Sequence, residues 1–151
     1  MAVFHTDKDN DIHVAHKELF KASGRVHVRC GKLVDNLFTS INSHRPDIII
    51  CEYPALYSGS EVGMAAKESG RILILFMICG MLYEAVRDLY DIRFVSAIKW
   101  KGNLKKHHTA ARVLKTYGIT DVEDVIDAIG IGDWYIKEGA SLDWDGPFLI
   151  T

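Results

Sequence analysis

Three carboxylates stand at positions in this sequence where acids can do chemistry. Glu52 ends the β-branched run 47–51, whose lack of polar alternation predicts a strand buried on both faces. In α/β sheets, ligands bind beyond the carboxyl ends of such strands, so Glu52 is a candidate site residue. Asp124 and Asp127 are spaced i, i+3, which puts both carboxylates on one face of a helix.

Each of these acids also has an ordinary explanation. A solvated glutamate at a strand end is common, and Glu52 on its own is better explained in that way. Acids in the first turn of a helix are favoured by the helix dipole, which explains Asp124 better than Asp127. For the Asp124–Asp127 pair alone, two explanations are equally supported: the carboxylates share a metal ion, or they are there because the helix dipole favours acids near the start of a helix.

Gathered in one cleft, three carboxylates would form an all-oxygen site. Hard oxygen ligands suit Mg²⁺ or Mn²⁺ better than zinc. Two such ions can activate a water and stabilise the leaving oxygen of a phosphodiester. Nuclease chemistry therefore needs no cysteine nucleophile, and the three cysteines are isolated in sequence, with no Cys-x-x-Cys pair.

A basic segment extends between Asp91 and Asp121 and contains seven lysines and arginines but no acid. Its candidate DNA contacts are Lys99, Trp100, Lys101, Lys105, Lys106, His107 and Arg112. Such a run of positive charge is typical of phosphate binding, and a tryptophan within it offers a surface on which a base can stack. A solvated helix face is the alternative, but the absence of acids favours phosphate binding. The adjacent His107 and His108 are expected to point in different directions.

The whole-chain charge hides this segment. The 151 residues carry 18 Lys and Arg against 20 Asp and Glu, a formal net charge of -2, so the remainder of the chain is acidic. The most apolar stretch, 72–82, is shorter than the about 20 residues that cross a bilayer and predicts a buried core helix. With no signal peptide recognised, the expectation is no membrane and a reducing cytoplasm.

The periodicity of apolar residues predicts an order of elements rather than a single motif. The predicted elements are a hairpin of strands 2–5 and 12–20, a helix 32–43, the strand 47–51, a long helix 61–89, a strand 93–98, a partly helical basic segment 101–117 and a last helix 120–137. Thr120 and Glu123 have the spacing of a capping box. This order predicts an α/β fold, a mixed sheet flanked by helices.

Together these motifs resemble the RuvC-type Holliday-junction resolvases of the RNase H-like superfamily. Residues 46–52 are similar to the family's second acidic strand, and residues 123–132 are similar to its final helix. Residues 99–102 resemble the basic segment near the scissile phosphate. The resemblance implies metal ligands at Glu52, Asp124 and Asp127, with Lys106 as the active-site lysine and fourth catalytic residue.

One feature of the family has no counterpart here. The family begins with a strand that ends in Asp-Pro-Gly and supplies the first metal ligand, whereas residues 2–5 fit the family's second strand. The chain is therefore interpreted as a single RuvC-like domain, 1–151, truncated at its N-terminus. Met1 could be an internal methionine, the protein could be an inactive remnant, or an acid of the turn 7–11 could replace the ligand. The first explanation is favoured.

The resemblance implies a specific function. The expected protein is a Mg²⁺-dependent, structure-selective endonuclease that resolves four-way junctions or other branched DNA as a homodimer. The expected location is the cytoplasm of a bacterial or phage-infected cell. The alternative is a catalytically impaired, dimeric DNA-binding or structural remnant of the same fold, in which the acids only decorate a helix.

Overall fold

The fold is described from a computed structural model that covers residues 1–8, 11–54, 70–102, 104–144 and the backbone of 148–149. The strands are β1 (Ala2–Thr6), β2 (Ile12–Lys17), β3 (Ile48–Tyr53), β4 (Asp91–Ser96) and β5 (Phe148–Leu149). The helices are α1 (Val26–His44), α2 (Arg71–Val86), α3 (Ala97–Lys101), α4 (Lys106–Tyr117) and α5 (Glu123–Lys137), followed by a 3₁₀ turn, Gly139–Ser141. These elements confirm the predicted α/β class.

The chain folds into two compact units. The first combines Met1–Leu19 with Ile98–Trp144, and the second contains Phe20–Ala97 and strand β5. Each unit has a sheet of its own in the described part of the chain: the antiparallel hairpin β1–β2 in the first, and the parallel sheet β3–β4–β5 in the second.

The second unit is organised around β4, its central strand. Phe94 and Val95 are fully buried on it, and Ile92 is nearly so. Helices α1 and α2 contact each other and contribute Ile41 and Val86 to this core. The β-branched strand β3 pairs with β4 in register, so that Glu52 lies opposite Val95. The expected burial of both faces of β3 is wrong, because its residues are only half-buried and Glu52 is exposed.

The first unit is organised around helix α5, whose buried face includes Val125 and Ile129. Val113 of α4 packs into the same core, and Phe4 of β1 packs against it from the hairpin. A β-bulge between Val3 and Phe4 interrupts the regular pairing of the hairpin. The core of this unit therefore joins the hairpin of Met1–Leu19 to the helices of Ile98–Trp144.

Two glycines let neighbours approach α5 closely. A Cβ on Gly132 would overlap the ring of Phe4, and a Cβ on Gly130 would lie 2.7 Å from the Thr109 methyl and 3.1 Å from the Trp100 ring. Real Cβ atoms essentially never lie as close as 2.7 Å to another heavy atom, and 3.1 Å is tighter than most real contacts, so any side chain here forces its neighbours to shift. The small residues are thus a packing requirement of the helix.

The sequence prediction of α5 erred at its start. The helix begins at Glu123, with Val122 as its N-cap and no side-chain capping bond, so the predicted Thr120–Glu123 capping box is wrong. Asp121 accepts instead from the Lys17 ammonium of β2 and from the backbone N–H of Val122. The Lys17 hydrogen bond, followed by that of Val122, lowers the pKa of the Asp121 carboxyl.

The apolar helix α2 is less buried than expected. Leu73 is 68% exposed and Leu75 51%, with Met77 and Met81 also exposed, although Leu82 and Val86 lie in the core. The helix therefore covers the sheet with only one of its faces. The part of the predicted helix 61–89 that precedes Gly70 lies outside the described residues. No helix among those described is both long and apolar enough to cross a membrane.

The close packing of α5 gives a stability prediction. Gly132→Ala should lower the free energy of unfolding by about 1–3 kcal/mol, because the methyl group overpacks against Phe4. Gly31→Ala in α1 is the matched control, since nothing lies within 4 Å of its Cβ position. That control should raise stability by about 0.5–1 kcal/mol through helix propensity. Urea unfolding followed by circular dichroism measures both, and equal stability of the two variants would contradict the packing requirement.

Candidate nucleic-acid and metal-binding site

The candidate site residues fall into both units. Glu52 is on β3 of the second unit, while the two aspartates and all the basic candidates belong to the first. In the first unit, Asp124 and Asp127 are on α5 as predicted, and the spacing places them on one face. Asp124 is exposed and Asp127 is half-buried. The two aspartates and the basic candidates therefore belong to one unit, and Glu52 belongs to the other.

Lys101, at the end of α3, contacts Asp127 directly. Its Nζ donates to Oδ1 at 2.8 Å and to Oδ2 at 2.9 Å, so both carboxylate oxygens accept from one ammonium. The side chains are 13% and 28% exposed, respectively. The predicted metal ligand and a predicted DNA contact are therefore partners in an ion pair.

Trp100 is buried rather than presented on the surface. Its side chain packs against Gly130 of α5, and the residue is 6% exposed. The Lys101 ammonium lies 5.2 Å from the centre of its ring, within the range of a cation–π contact. Base stacking on this ring would require the ring to leave that packing.

Asp133 is a buried acid that the sequence prediction missed. Its Oδ1 accepts from the Tyr117 hydroxyl at 2.7 Å and lies 2.6 Å from the Lys137 ammonium. Its Oδ2 accepts from Arg112 at 3.0 Å. Three donors from two helices therefore surround a side chain that is only 5% exposed. Its place between Gly132 and Trp134, on the apolar part of α5, was the available signal.

Charge and burial act against each other at Asp133. Burial raises the pKa of the Asp133 carboxyl, but the hydrogen bonds from Lys137, Tyr117 and Arg112 outweigh it and hold the pKa below its usual range. Burial and the bond to Asp133 raise the pKa of the Tyr117 hydroxyl, which therefore stays a donor. Arg112, a predicted DNA contact, is held by this anion while its side chain is 46% exposed.

The remaining basic candidates lie on or beside α3 and α4. Lys99 and Lys105 are exposed, and Lys106 begins α4. His107 and His108 are exposed too, but their rings contact each other with centres 4.1 Å apart. The expectation that they point in different directions is therefore wrong, because neighbouring rings on the first turn of a helix can tilt together.

Around Glu52, two cysteines that are distant in sequence come together. The Sγ atoms of Cys51 and Cys79 lie 3.9 and 4.0 Å from the Glu52 carbonyl oxygen. The hydrogen bond with Cys79, together with burial, raises the pKa of the Cys51 thiol. Both cysteines are free thiols. Sequence spacing had made the cysteines look isolated, since α2 and β3 meet only in the folded unit.

The donor chemistry of α5 suits a hard divalent cation. Mg²⁺ in proteins is commonly held by one or two carboxylates together with waters and substrate phosphates, and Asp124 and Asp127 supply two carboxylates. The Lys101 ammonium already binds both oxygens of Asp127, so a cation is stabilised at that position. Among the described residues, no three His, Cys, Asp or Glu side chains form a group that could hold a metal by themselves.

Comparison with solved structures identifies the fold. A structure of Thermus thermophilus RuvC matches with a TM-score of 0.64 and 14% identity, over 91% of this chain and 87% of that one. T. thermophilus RuvC in complex with a Holliday junction substrate matches with a TM-score of 0.62 and 17% identity, over the same shares. The chain therefore has the RNase H-like α/β fold of RuvC, which confirms the predicted resemblance. No protein-family model and no curated protein sequence matches it.

The Asp133 cluster gives a prediction about acid stability. Asp133→Asn should lower the free energy of unfolding at pH 7 by about 2 kcal/mol, because charged donors lose their anion. A carboxyl whose pKa is lower in the folded protein than its unfolded value of about 3.9 stabilises the fold at pH values above that unfolded value. This contribution to the free energy of unfolding is lost as the pH falls through the folded-state pKa. The gap between wild type and variant should therefore narrow below about pH 4.

Urea titrations at pH 7, 5 and 3 measure this gap. Asp35→Asn is the control, because Asp35 is exposed on α1. The stability of this control should stay close to that of the wild type at every pH. A gap for Asp133→Asn that is constant from pH 7 to pH 3 would contradict the stabilising role of the charged carboxylate.

Proposed function

We propose that this chain is a metal-dependent, structure-selective endonuclease that resolves Holliday junctions or other branched DNA by phosphodiester hydrolysis. The observation that carries the proposal is a RuvC-like fold in which Asp124 and Asp127 share one helix face, with Lys101 of the basic segment in contact with Asp127. Carboxylates placed in this way beside a basic segment suit phosphate chemistry, in which negative charge must be both bound and stabilised.

The proposed roles of the residues follow their chemistry. Glu52, Asp124 and Asp127 hold Mg²⁺, or Mn²⁺ in its place. When bound, such an ion activates water and stabilises charge on a phosphodiester. Lys106 stabilises charge on the phosphate at the catalytic site. Arg112, which donates to Asp133 and has a side chain 46% exposed, contacts a phosphate of the DNA.

The proposed substrate is branched DNA with four-way junctions. The basic segment supports it, since Lys99, Lys105 and His107 are exposed on consecutive elements of one unit. The match to a RuvC solved with a Holliday junction supports it further. Lys101, Trp100 and Lys106 complete the proposed DNA contacts, the first two by leaving their contacts on α5.

The assembly and setting are also proposals. We infer a single nuclease domain that acts as a homodimer in the cytoplasm of a bacterium or a phage-infected cell. The exposed apolar face of α2, with Leu73 and Met77, supports a second copy as its cover, because large exposed apolar patches mark protein interfaces. A dimer matches the symmetry of a four-way junction, which needs two paired cuts.

A second candidate function is branched-DNA binding without cleavage. The Lys101–Asp127 ion pair favours it, because a neutralised carboxylate binds a divalent cation less strongly. Both functions share the fold and the basic segment. They differ in whether metal-dependent cleavage follows binding.

Cleavage of a synthetic junction separates these functions. The wild-type protein should cut a four-way junction in the presence of Mg²⁺. Glu52→Gln and Asp127→Asn should each lower the rate by about 100-fold or more, because even the loss of a residue that only orients a metal ligand costs about 10–100-fold. Glu84→Gln is the control, since this exposed acid of α2 pairs with Arg87 at the end of the helix and is not a proposed ligand. Junction binding without metal-dependent cleavage by the wild type would favour the second candidate. Equal rates for all variants would reject the assigned ligands.

The salt dependence of binding tests the basic segment. Each lost phosphate contact should flatten the slope of log affinity against log salt by about one unit. Lys99→Ala combined with Lys105→Ala should therefore flatten the slope by about two units. Lys32→Ala, an exposed lysine of α1, should leave it unchanged. Fluorescence anisotropy with a labelled junction at several salt concentrations gives the slopes, and three equal slopes would exclude the segment from the DNA contacts.

A further inference from the structure

The Lys101–Asp127 pair differs from the Lys17–Asp121 and Arg87–Glu84 pairs in its geometry and in its burial. A single ammonium contacts both oxygens of one carboxylate, at 2.8 and 2.9 Å, with the lysine side chain only 13% exposed. By contrast, Lys17 and Asp121 are 37% and 28% exposed, and Arg87 and Glu84 are 44% and 69% exposed. Lys101 therefore occupies the cation position of Asp127 more completely than a surface pair would.

The environment explains why this carboxylate takes a cation. Asp127 is half-buried on a helix whose next turn packs against Trp100 through Gly130, and removing a charge from water is costly unless an opposite charge compensates. A divalent cation with its waters meets the same need with twice the charge. The ammonium and the metal would therefore compete for the same two oxygens.

We propose that Lys101 is the resident counter-ion of Asp127 in the metal-free protein, and that a divalent cation displaces it toward the DNA phosphates. This inference rests on the proposed metal site at Asp127. In the metal-free state, Lys101 lowers the affinity of Asp127 for the ion. In the metal-bound state, the released ammonium adds one cation to the basic segment, so metal binding and DNA binding reinforce each other.

The local geometry lets the ammonium move while the rest of the side chain stays. Lys101 ends α3, and Gly102 follows it in a left-handed conformation, φ 58°, with its N–H bonded to the Ile98 carbonyl. The backbone at this point is thus fixed. The Lys101 ammonium lies 5.2 Å from the centre of the Trp100 ring, and a lysine stem can stay packed on apolar surface while its head group turns to water or to a phosphate.

The proposal predicts a metal affinity that rises when the lysine is removed. Mn²⁺ binding, measured by isothermal titration calorimetry without DNA, should be about tenfold tighter for Lys101→Met than for the wild type. Lys101→Gln is a second variant, whose amide donates only a neutral hydrogen bond, and its affinity should also rise. Lys115→Met is the matched control, because this exposed lysine of α4 is not among the proposed site residues and its loss should have no effect on Mn²⁺ affinity.

A thermal readout does not depend on activity. Because an ion that binds only the folded state stabilises it, Mn²⁺ should raise the Tm of Lys101→Met more than that of the wild type at one concentration. Circular dichroism at neutral pH first checks that each variant is folded. If Lys101→Met fails to fold, the comparison is made with Lys101→Gln.

The outcomes separate this inference from the proposed function. Equal Mn²⁺ affinity of the wild type and both Lys101 variants, abolished by Asp127→Asn, would overturn the displacement and keep the metal site. Weaker binding by the variants would also overturn it, since Lys101 would then support the ion. No Mn²⁺ binding by any of these proteins would overturn both the displacement and the proposed metal site.

Discussion

Close approach to helix α5 is the constraint on which the first unit depends. Gly132 admits the Phe4 ring of the hairpin, and Gly130 admits Thr109 and Trp100. These contacts hold α3 and α4 near enough for their cations to reach the acids of α5. A side chain at either position would force these neighbours to shift, and at Gly130 the shift would fall on Trp100, the residue next to Lys101.

Within that packing, one basic segment performs two kinds of work. Lys101 and Arg112 neutralise acids of α5, while Lys99 and Lys105 remain exposed. The sequence suggested that all the basic side chains form one phosphate-binding surface. In the structure, some of them instead form ion pairs within the protein, and the others are exposed to solvent. If the Lys101 ammonium exchanges between the paired and the exposed state, as proposed, metal binding and DNA binding are coupled.

The sequence predicted the order and type of the elements because apolar periodicity and turn residues are local properties. It placed Asp124 and Asp127 on one helix face for the same reason. It could not predict the start of α5, where Asp121 is bound by Lys17 from a strand at the other end of the chain. The partners of Lys101 and Arg112 were equally hidden, since they are 26 and 21 residues away on another helix. Apolar composition also could not tell which face of α2 would be covered.

The division of the chain also sets the order in which its units can form. Most of the second unit comes from the single stretch Phe20–Ala97, whereas the first combines Met1–Leu19 with Ile98–Trp144. To form the first unit, the chain must close the loop Phe20–Ala97, and this costs conformational entropy before the contacts between Met1–Leu19 and Ile98–Trp144 can offset it. During synthesis, β3, β4 and the helices beside them are complete well before α5 emerges. The β1–β2 hairpin therefore lacks its packing partner α5 until residues 123–137 have been synthesised.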